Sequence, residues 1–186
     1  DNPEGEFRCL WERETGVDYD VDHAVVAGTD YWVVTHNATG PNFELGYCPV
    51  SAELPALREL TVLMPHDDTV RIEGVDCYRD QIVVGYRRGG IGRAAVMDVR
   101  QGGARFDELY TVGVAGNPEW DAPVLRVSYT SFIQPAQLFD YRVATGEYTL
   151  LKEQEVPGGY DKDEYVAYRV WSEAPDGTKV PVSIVH

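Results

Sequence analysis

Three aspartates, Asp18, Asp20 and Asp22, have the alternate spacing of a calcium-binding loop. An EF-hand loop that begins at Asp18 needs glycine at its sixth position and glutamate at its twelfth, but His23 and Thr29 stand there. Apolar residues alternate with these aspartates, which is typical of a strand whose acidic side chains face solvent. We therefore predict no metal site, and a calcium-dependent carbohydrate enzyme stays a minor alternative that would require tight Ca²⁺ binding.

The serines and histidines do not have the spacing that nucleophilic or metal-assisted catalysis needs. No serine lies in the Gly-x-Ser-x-Gly pattern of a nucleophile elbow, and no His-Glu-x-x-His motif is present. The glycine-rich run Gly89–Gly92 lacks a phosphate-loop pattern and lies between two strand-like runs, which favours a hairpin turn. We predict no catalytic, cofactor-binding or metal residue. The residues considered are Ser51, Ser128, Ser131, Ser172, Ser183, His23, His36, His66 and His186.

The elements that would position any site are short strands, with turn signals every eight to twelve residues. These strands repeat along the chain. The run Asp30–Val34 recurs fifty residues later as Asp80–Val84, and Val96–Arg100 recurs forty-two residues later as Leu138–Arg142. A four-stranded unit with a period of roughly 40–50 residues is the signature of β-propeller blades.

The sequence thus predicts an all-β fold, an incomplete β-propeller of about three to three and a half four-stranded blades. Three units fit, at about 17–70, 71–112 and 113–155, preceded by a strand at Phe7–Arg13 from an earlier blade. Because a closed ring needs roughly 4–8 blades, this number leaves blade faces and edges unpaired. We therefore expect this chain to be a piece of a longer propeller protein, and the absence of an initial Met supports that expectation. We also expect the fragment to self-associate through its open blade edges.

The pattern changes after residue 155. Pro157, Gly158 and Gly159 form a breaker cluster of the kind that joins domains. Two alternating runs follow, Tyr165–Ser172 and Thr178–Val185, and the Pro-Asp-Gly turn between them predicts a hairpin. We divide the chain into a partial propeller at 1–155, a connection at 156–162 and the beginning of another domain at 163–186.

Composition excludes some classes of partner. The chain has 31 acidic and 16 basic residues and a formal net charge of −15, so it would repel the phosphates of a nucleic acid and could attract basic peptides. Three widely spaced cysteines, Cys9, Cys48 and Cys77, favour a reducing compartment and a cytoplasmic location. No apolar stretch approaches the ~20 residues of a membrane span, and no signal peptide is recognisable, so we expect no membrane partner.

Several segments resemble the prolyl oligopeptidase family of serine peptidases, and in particular its oligopeptidase B (protease II) branch. Thr35–Leu45 resembles that branch's T-N-x-x-A-P-N-F-x-L stretch, and Tyr129–Pro135 is similar to its Y-T-S-x-x-x-P motif. The strongest match is Thr149–Asp161. Asp176–Val185 resembles the first hairpin of the family's hydrolase domain. These matches occur in the family's order and cover nearly the whole chain.

The resemblance implies the C-terminal half of a seven-bladed propeller that caps an α/β-hydrolase domain, followed by the first hairpin of that domain. The parent would be a serine-type oligopeptidase that hydrolyses short, basic peptides after Arg or Lys, and its propeller would gate substrate access. The family's catalytic Ser, Asp and His lie beyond His186, so this chain alone is expected to be inactive, with its own catalytic domain as a partner.

The resemblance also implies an interdomain hinge, which is the functional feature of the family that can be matched to residues of this chain. It would comprise Pro157, Gly158, Gly159 and Tyr160, where paired glycines permit large changes of φ and ψ as two domains open and close. A simple linker turn is the competing interpretation of these four residues. For the chain as a whole, the competing hypothesis is a stand-alone, propeller-like protein-binding module.

Overall fold

The structure, a computed structural model, describes residues 5–6, 8–51, 53–99, 106–109, 113–114 and 116–186, and only the backbone of 106–109. Three four-stranded antiparallel sheets follow one another along these residues, and a two-stranded hairpin comes last. The first sheet contains β1 (Tyr19–Val26), β2 (Thr29–His36), β3 (Glu44–Pro49) and β4 (Thr61–Met64). The second contains β5 (Val70–Cys77), β6 (Gln81–Arg88), β7 (Ile91–Asp98) and β8 (Phe106–Leu109). The third contains β9 (Gly113–Val114), β10 (Leu125–Tyr129), β11 (Gln137–Arg142) and β12 (Glu147–Glu153), and the hairpin contains β13 (Ala167–Glu173) and β14 (Lys179–Val185).

Strands are hydrogen-bonded in chain order within every sheet, as expected for propeller blades built from consecutive antiparallel strands. The first and third sheets lie inside the units predicted at about 17–70 and 113–155, and the second begins at Val70, one residue before the unit predicted at about 71–112. The all-β fold class, an incomplete propeller with a hairpin after it, is therefore confirmed. None of the helices in the described part of the chain is long and apolar enough to cross a membrane.

The core lies between neighbouring sheets, and the paired valines of the repeat show why. Val33 and Val34 are adjacent on β2, and Val83 and Val84 are adjacent on β6; all four are at most 1% exposed. Because successive side chains of a strand point to opposite faces, each pair buries both faces of its sheet. Val84 packs with Val33 between the first two sheets, whereas Val83 packs with residues of the third sheet.

The segment before β1 differs from the prediction. Phe7 lies outside the described residues, and residues 8–13 form no strand, so the predicted strand Phe7–Arg13 is wrong where it can be compared. Trp11 is buried against the first sheet instead. Its indole N–H donates to the carbonyl of Pro55 at 2.8 Å, and the hydroxyl of Tyr19 donates to the carbonyl of Trp11 at 2.7 Å. The aromatic side chain thus anchors this segment through contacts that require no strand pairing.

Two-residue turns close the hairpins β1–β2 and β6–β7. Ala27 and Gly28 form the first, and Gly89 and Gly90 form the second, with φ angles of 51°, 79°, 59° and 76°. Positive φ at both central residues is the geometry of a type I′ turn, whose twist suits an antiparallel hairpin. The hairpin turn predicted within Gly89–Gly92 is confirmed.

Candidate interdomain hinge

The candidate hinge begins where β12 ends. The N–H of Gln154 still donates to the carbonyl of Ala136 at 2.8 Å, which fixes the chain to the third sheet. The carbonyl of Val156 then accepts from the N–H of Gly159 at 3.1 Å. Gly158 has a φ of 93°, so Pro157 and Gly158 occupy the two central positions of a type II turn, the positions that favour proline and glycine.

The backbone conformation of this turn, and not a lack of space around it, requires glycine at positions 158 and 159. Gly158 and Gly159 have φ angles of 93° and 88°, and two consecutive left-handed residues are strained for any side chain other than glycine. A Cβ built on either residue would meet no atom of the described residues within 4 Å. The surroundings therefore leave room for the turn to change shape, and the two glycines supply the torsional freedom.

Tyr160 has a different role from the glycines. Its hydroxyl donates to the carbonyl of Ile133, in the loop between β10 and β11. Its ring stacks on that of Tyr165, with centroids 5.7 Å apart and planes 21° apart. Desolvation, followed by the neighbouring Tyr165 and Asp161, raises the pKa of the Tyr160 phenol and keeps it a donor at neutral pH. Tyr160 is therefore a tether to the third sheet, and the wide φ/ψ range of glycine is confined to Gly158 and Gly159.

The chain after Tyr160 is ordered by local hydrogen bonds. The carboxylate of Asp161 accepts from the N–H of Asp163 at 2.9 Å and caps a 3₁₀ helix at Lys162–Glu164. Val166 and His186 then exchange two backbone hydrogen bonds, of 2.7 and 3.0 Å, at the base of the hairpin β13–β14. The structure thus brings the four predicted hinge residues together in one short segment between two ordered units.

The alternating aspartates lie on or directly before the first strand of the first sheet. The carboxylate of Asp22 accepts from the backbone N–H of Cys77 at 2.6 Å. Desolvation raises the pKa of Asp76, and repulsion from Asp22 and Asp20 adds to the shift. Among the residues that the structure describes, no group of three or more His, Cys, Asp and Glu side chains could hold a metal ion.

The histidines pair mainly with carboxylates. His23 lies 2.7 Å from Asp30, and the fully buried His36 lies 3.7 Å from Glu44. The serine hydroxyls bond elsewhere: Ser51 and Ser128 donate to backbone carbonyls, and Ser183 accepts from Arg169. These contacts assemble no serine beside a histidine base, which nucleophilic catalysis would need.

Comparison with known proteins defines the class of protein. Residues 1–154 match the family described as "Prolyl oligopeptidase, N-terminal beta-propeller domain". The chain therefore belongs to the prolyl oligopeptidase family, as the motifs around Thr35–Leu45 and Thr149–Asp161 had indicated.

Similar proteins carry peptidase names. The chain is 36% identical over 98% of its length to "Dipeptidyl aminopeptidase BI" of Pseudoxanthomonas mexicana, and 26% identical over its whole length to "Protease 2" of Moraxella lacunata. Among solved structures, oligopeptidase B from Trypanosoma brucei in a closed form with covalently bound antipain superposes with a TM-score of 0.76 at 32% identity over 95% of this chain. Oligopeptidase B from Leishmania major gives 0.74 at 28%. The chain spans about a quarter of the length of each of these proteins: 25% and 26% of the two relatives, and 26% of each solved chain.

Proposed function

We propose that this chain is the propeller segment of a serine oligopeptidase that hydrolyses short peptides after Arg or Lys, and that the propeller gates substrate access. The observation that carries this proposal is the turn Pro157–Gly159, two left-handed glycines with open space around them between the third sheet and the hairpin. Family membership and the similarity to oligopeptidase B support it. A stand-alone binding module is not favoured, because the matched relatives are named as peptidases.

Preference for basic peptides is supported by the negative charge of β1 and β5. β1 and β5 are the first strands of neighbouring sheets and contact each other. They carry Asp20, Asp22, Glu73 and Asp76, and Asp18 directly precedes β1. Carboxylates in this position, together with a net charge of −15, attract cationic ligands and raise their local concentration. Basic peptides are therefore the proposed substrates.

The proposed partner of this chain is its own catalytic domain, to which the hairpin β13–β14 would belong. In that arrangement the segment 1–155 is the gate, 156–162 is the hinge and 163–186 starts the hydrolase domain. A cytoplasmic location is proposed from the free cysteines, Cys9, Cys48 and Cys77. We also propose that the isolated chain self-associates through β12, where Leu150 and Leu151 are 51% and 45% exposed beside an unpaired strand edge.

Substrate specificity is tested on the longer protein that contains this chain. Two reporters distinguish cleavage after Arg or Lys from the dipeptidyl aminopeptidase activity that the name of the 36%-identical relative gives. One is a short peptide with a blocked N-terminus and arginine before the reporter group. The other is a dipeptide reporter with a free N-terminus. The proposal predicts cleavage of the blocked arginine peptide. Cleavage restricted to the free dipeptide would contradict it and favour a dipeptidyl aminopeptidase.

The proposed inactivity of this chain alone is tested with a serine-reactive phosphonate. The expected result is no hydrolysis of either reporter and no labelling, because none of the five serines lies in a Gly-x-Ser-x-Gly nucleophile elbow. The hydroxyls of Ser51, Ser128 and Ser183 also bond to groups other than a base. Labelling of one serine in the folded chain, lost when that serine is replaced by alanine, would overturn this part of the proposal.

A further inference from the structure

The hairpin β13–β14 has two chemically different faces. Cross-strand pairing places Arg169 opposite Ser183 and Trp171 opposite Pro181 on one face. The other face is apolar and exposed, with Tyr168, Val170 and Val182 at 47%, 38% and 38% exposure. An isolated two-stranded hairpin is marginally stable in water, so contacts outside its own ladder are needed to hold it in place.

Arg169 makes such a contact with the propeller. It is the one residue of β13 that is not exposed. One guanidinium nitrogen donates to the carbonyl of Gly89, in the β6–β7 turn, and the other donates to the hydroxyl of Ser183 at 3.1 Å. The planar fork of the guanidinium thereby joins the hairpin to a turn that lies 80 residues earlier in the chain.

The β6–β7 turn is shaped to receive the hairpin. A Cβ on Gly90 would lie 3.1 Å from Nη1 of Arg169 and 3.2 Å from Cγ of Pro181, closer than side chains normally approach. A Cβ on Gly89 would lie 3.7 Å from Cζ2 of Trp171. The corresponding turn of the first sheet has the same backbone geometry, yet a Cβ on Gly28 would meet none of the atoms that the structure describes within 4 Å. The packing of Arg169 and Pro181 against Gly90 thus requires glycine at position 90, whereas no such contact requires glycine at position 28 among the described residues.

We propose that the Gly89–Gly90 turn of the second sheet is the docking site for the hairpin β13–β14, and that Arg169 is the latch that closes it. The chain around the hinge is then held at two points, by Tyr160 on the third sheet and by Arg169 on the second. Opening at Pro157–Gly159 requires release of Arg169 from Gly89. The latch itself is formed by contacts within the chain, whereas its release on opening rests on the proposed hinge.

Hydrogen exchange of the whole 186-residue chain, followed by mass spectrometry, tests the latch. Replacing Arg169→Ala should speed exchange of the hairpin amides by roughly tenfold, which corresponds to about 1.4 kcal/mol. Peptides that cover residues 88–91 should exchange faster as well, because release of the hairpin uncovers the turn against which Arg169, Trp171 and Pro181 pack. Amides of β2 around Val33 and Val34 serve as the internal reference for a folded propeller. Unchanged exchange in the hairpin and the turn would overturn the proposal.

Two matched controls separate docking from general destabilisation. Lys179→Ala removes a cation whose partner, Glu173, lies on the same hairpin, so exchange at residues 88–91 should not change. Gly90→Ala and Gly28→Ala impose the same left-handed strain in equivalent turns. Gly90→Ala should release the hairpin, and Gly28→Ala should not. Equal effects of these two glycine variants on the hairpin would also overturn the latch.

Discussion

The carboxylate of Asp22 accepts a hydrogen bond from the backbone N–H of Cys77, with 2.6 Å between oxygen and nitrogen. The two residues lie 55 positions apart, on the first strands of neighbouring sheets. The bond therefore joins two neighbouring blades through their first strands. The same carboxylate repels Asp76 and helps to raise its pKa, so one side chain both links the blades and contributes to their negative charge.

Loss of this link should destabilise the chain. Replacing Asp22→Ala leaves the N–H of Cys77 without its partner and should lower the free energy of unfolding by about 1–3 kcal/mol. Asp22→Asn retains an acceptor oxygen and removes a repulsive charge, so its loss should be smaller. Asp20→Ala is the control, because Asp20 accepts from its own neighbour Val21. Urea unfolding measures all three, and equal losses for the two alanine variants would contradict the inter-blade role.

A second prediction compares two strand glycines. A Cβ on Gly46 would lie 2.8 Å from Cβ of the buried Leu60, so Gly46→Ala should cost about 1–3 kcal/mol through overpacking. A Cβ on Gly74 would meet nothing within 4 Å, and its φ is not positive. Gly74→Ala should be neutral or stabilising by up to about 1 kcal/mol, because it restricts the unfolded chain. Thermal unfolding of both variants tests the difference, and a Gly46→Ala midpoint at or above the wild-type midpoint would contradict it.

The third prediction concerns pH. His36 is fully buried, and within the part of the chain that the structure describes neither of its ring nitrogens has a hydrogen-bond partner. Desolvation lowers its pKa below the ordinary value of 6.5, although Glu44 partly opposes the shift and Arg58 adds to it. The unfolded state then binds a proton more readily than the folded state. The stabilisation is complete above pH 6.5 and is lost as pH falls from there through the lowered pKa.

Urea unfolding at a series of pH values tests this sign. His36→Leu removes the titrating group and should flatten the dependence of unfolding free energy on pH below about 6.5. His23→Leu replaces an exposed histidine, with 43% of its side chain accessible, and should leave this dependence in place. An unchanged slope in His36→Leu would show that another group is responsible.

Much of the fold could be predicted because each blade repeats a local pattern. The recurrence of Asp30–Val34 as Asp80–Val84 located two central strands, and their valine pairs proved to be buried on both faces. Turn chemistry located the hairpins in the same way, since glycines at positions 89 and 90 suit positive φ. Local signals of this kind depend on residues that are neighbours in the sequence.

Contacts between blades and hairpin could not be predicted in this way. Arg169 meets Gly89 across 80 residues, and Tyr160 meets Ile133 across 27. Each contact uses a backbone carbonyl, which every residue has, so no side-chain pattern marks the acceptor. The segment around Trp11 forms no strand, because it is held by hydrogen bonds of Trp11 with Pro55 and Tyr19 that no local pattern indicates. The sequence therefore indicated the hinge segment but not the tethers that flank it.

The proposed gating of a peptidase, in which this chain turns about Pro157–Gly159, is tested most directly by one kinetic comparison in the proposed longer protein. The double variant Gly158→Ala, Gly159→Ala introduces side chains at two left-handed hinge positions, whereas Gly146→Ala introduces one in the β11–β12 turn, where φ is 71° and space is also open.

For a short peptide cleaved after arginine, we predict that kcat and KM change together in the hinge variant and that kcat/KM falls by about tenfold or more. The Gly146→Ala variant should keep wild-type kinetics. Wild-type kinetics in a folded hinge variant, or an equal loss in both variants, would contradict the account.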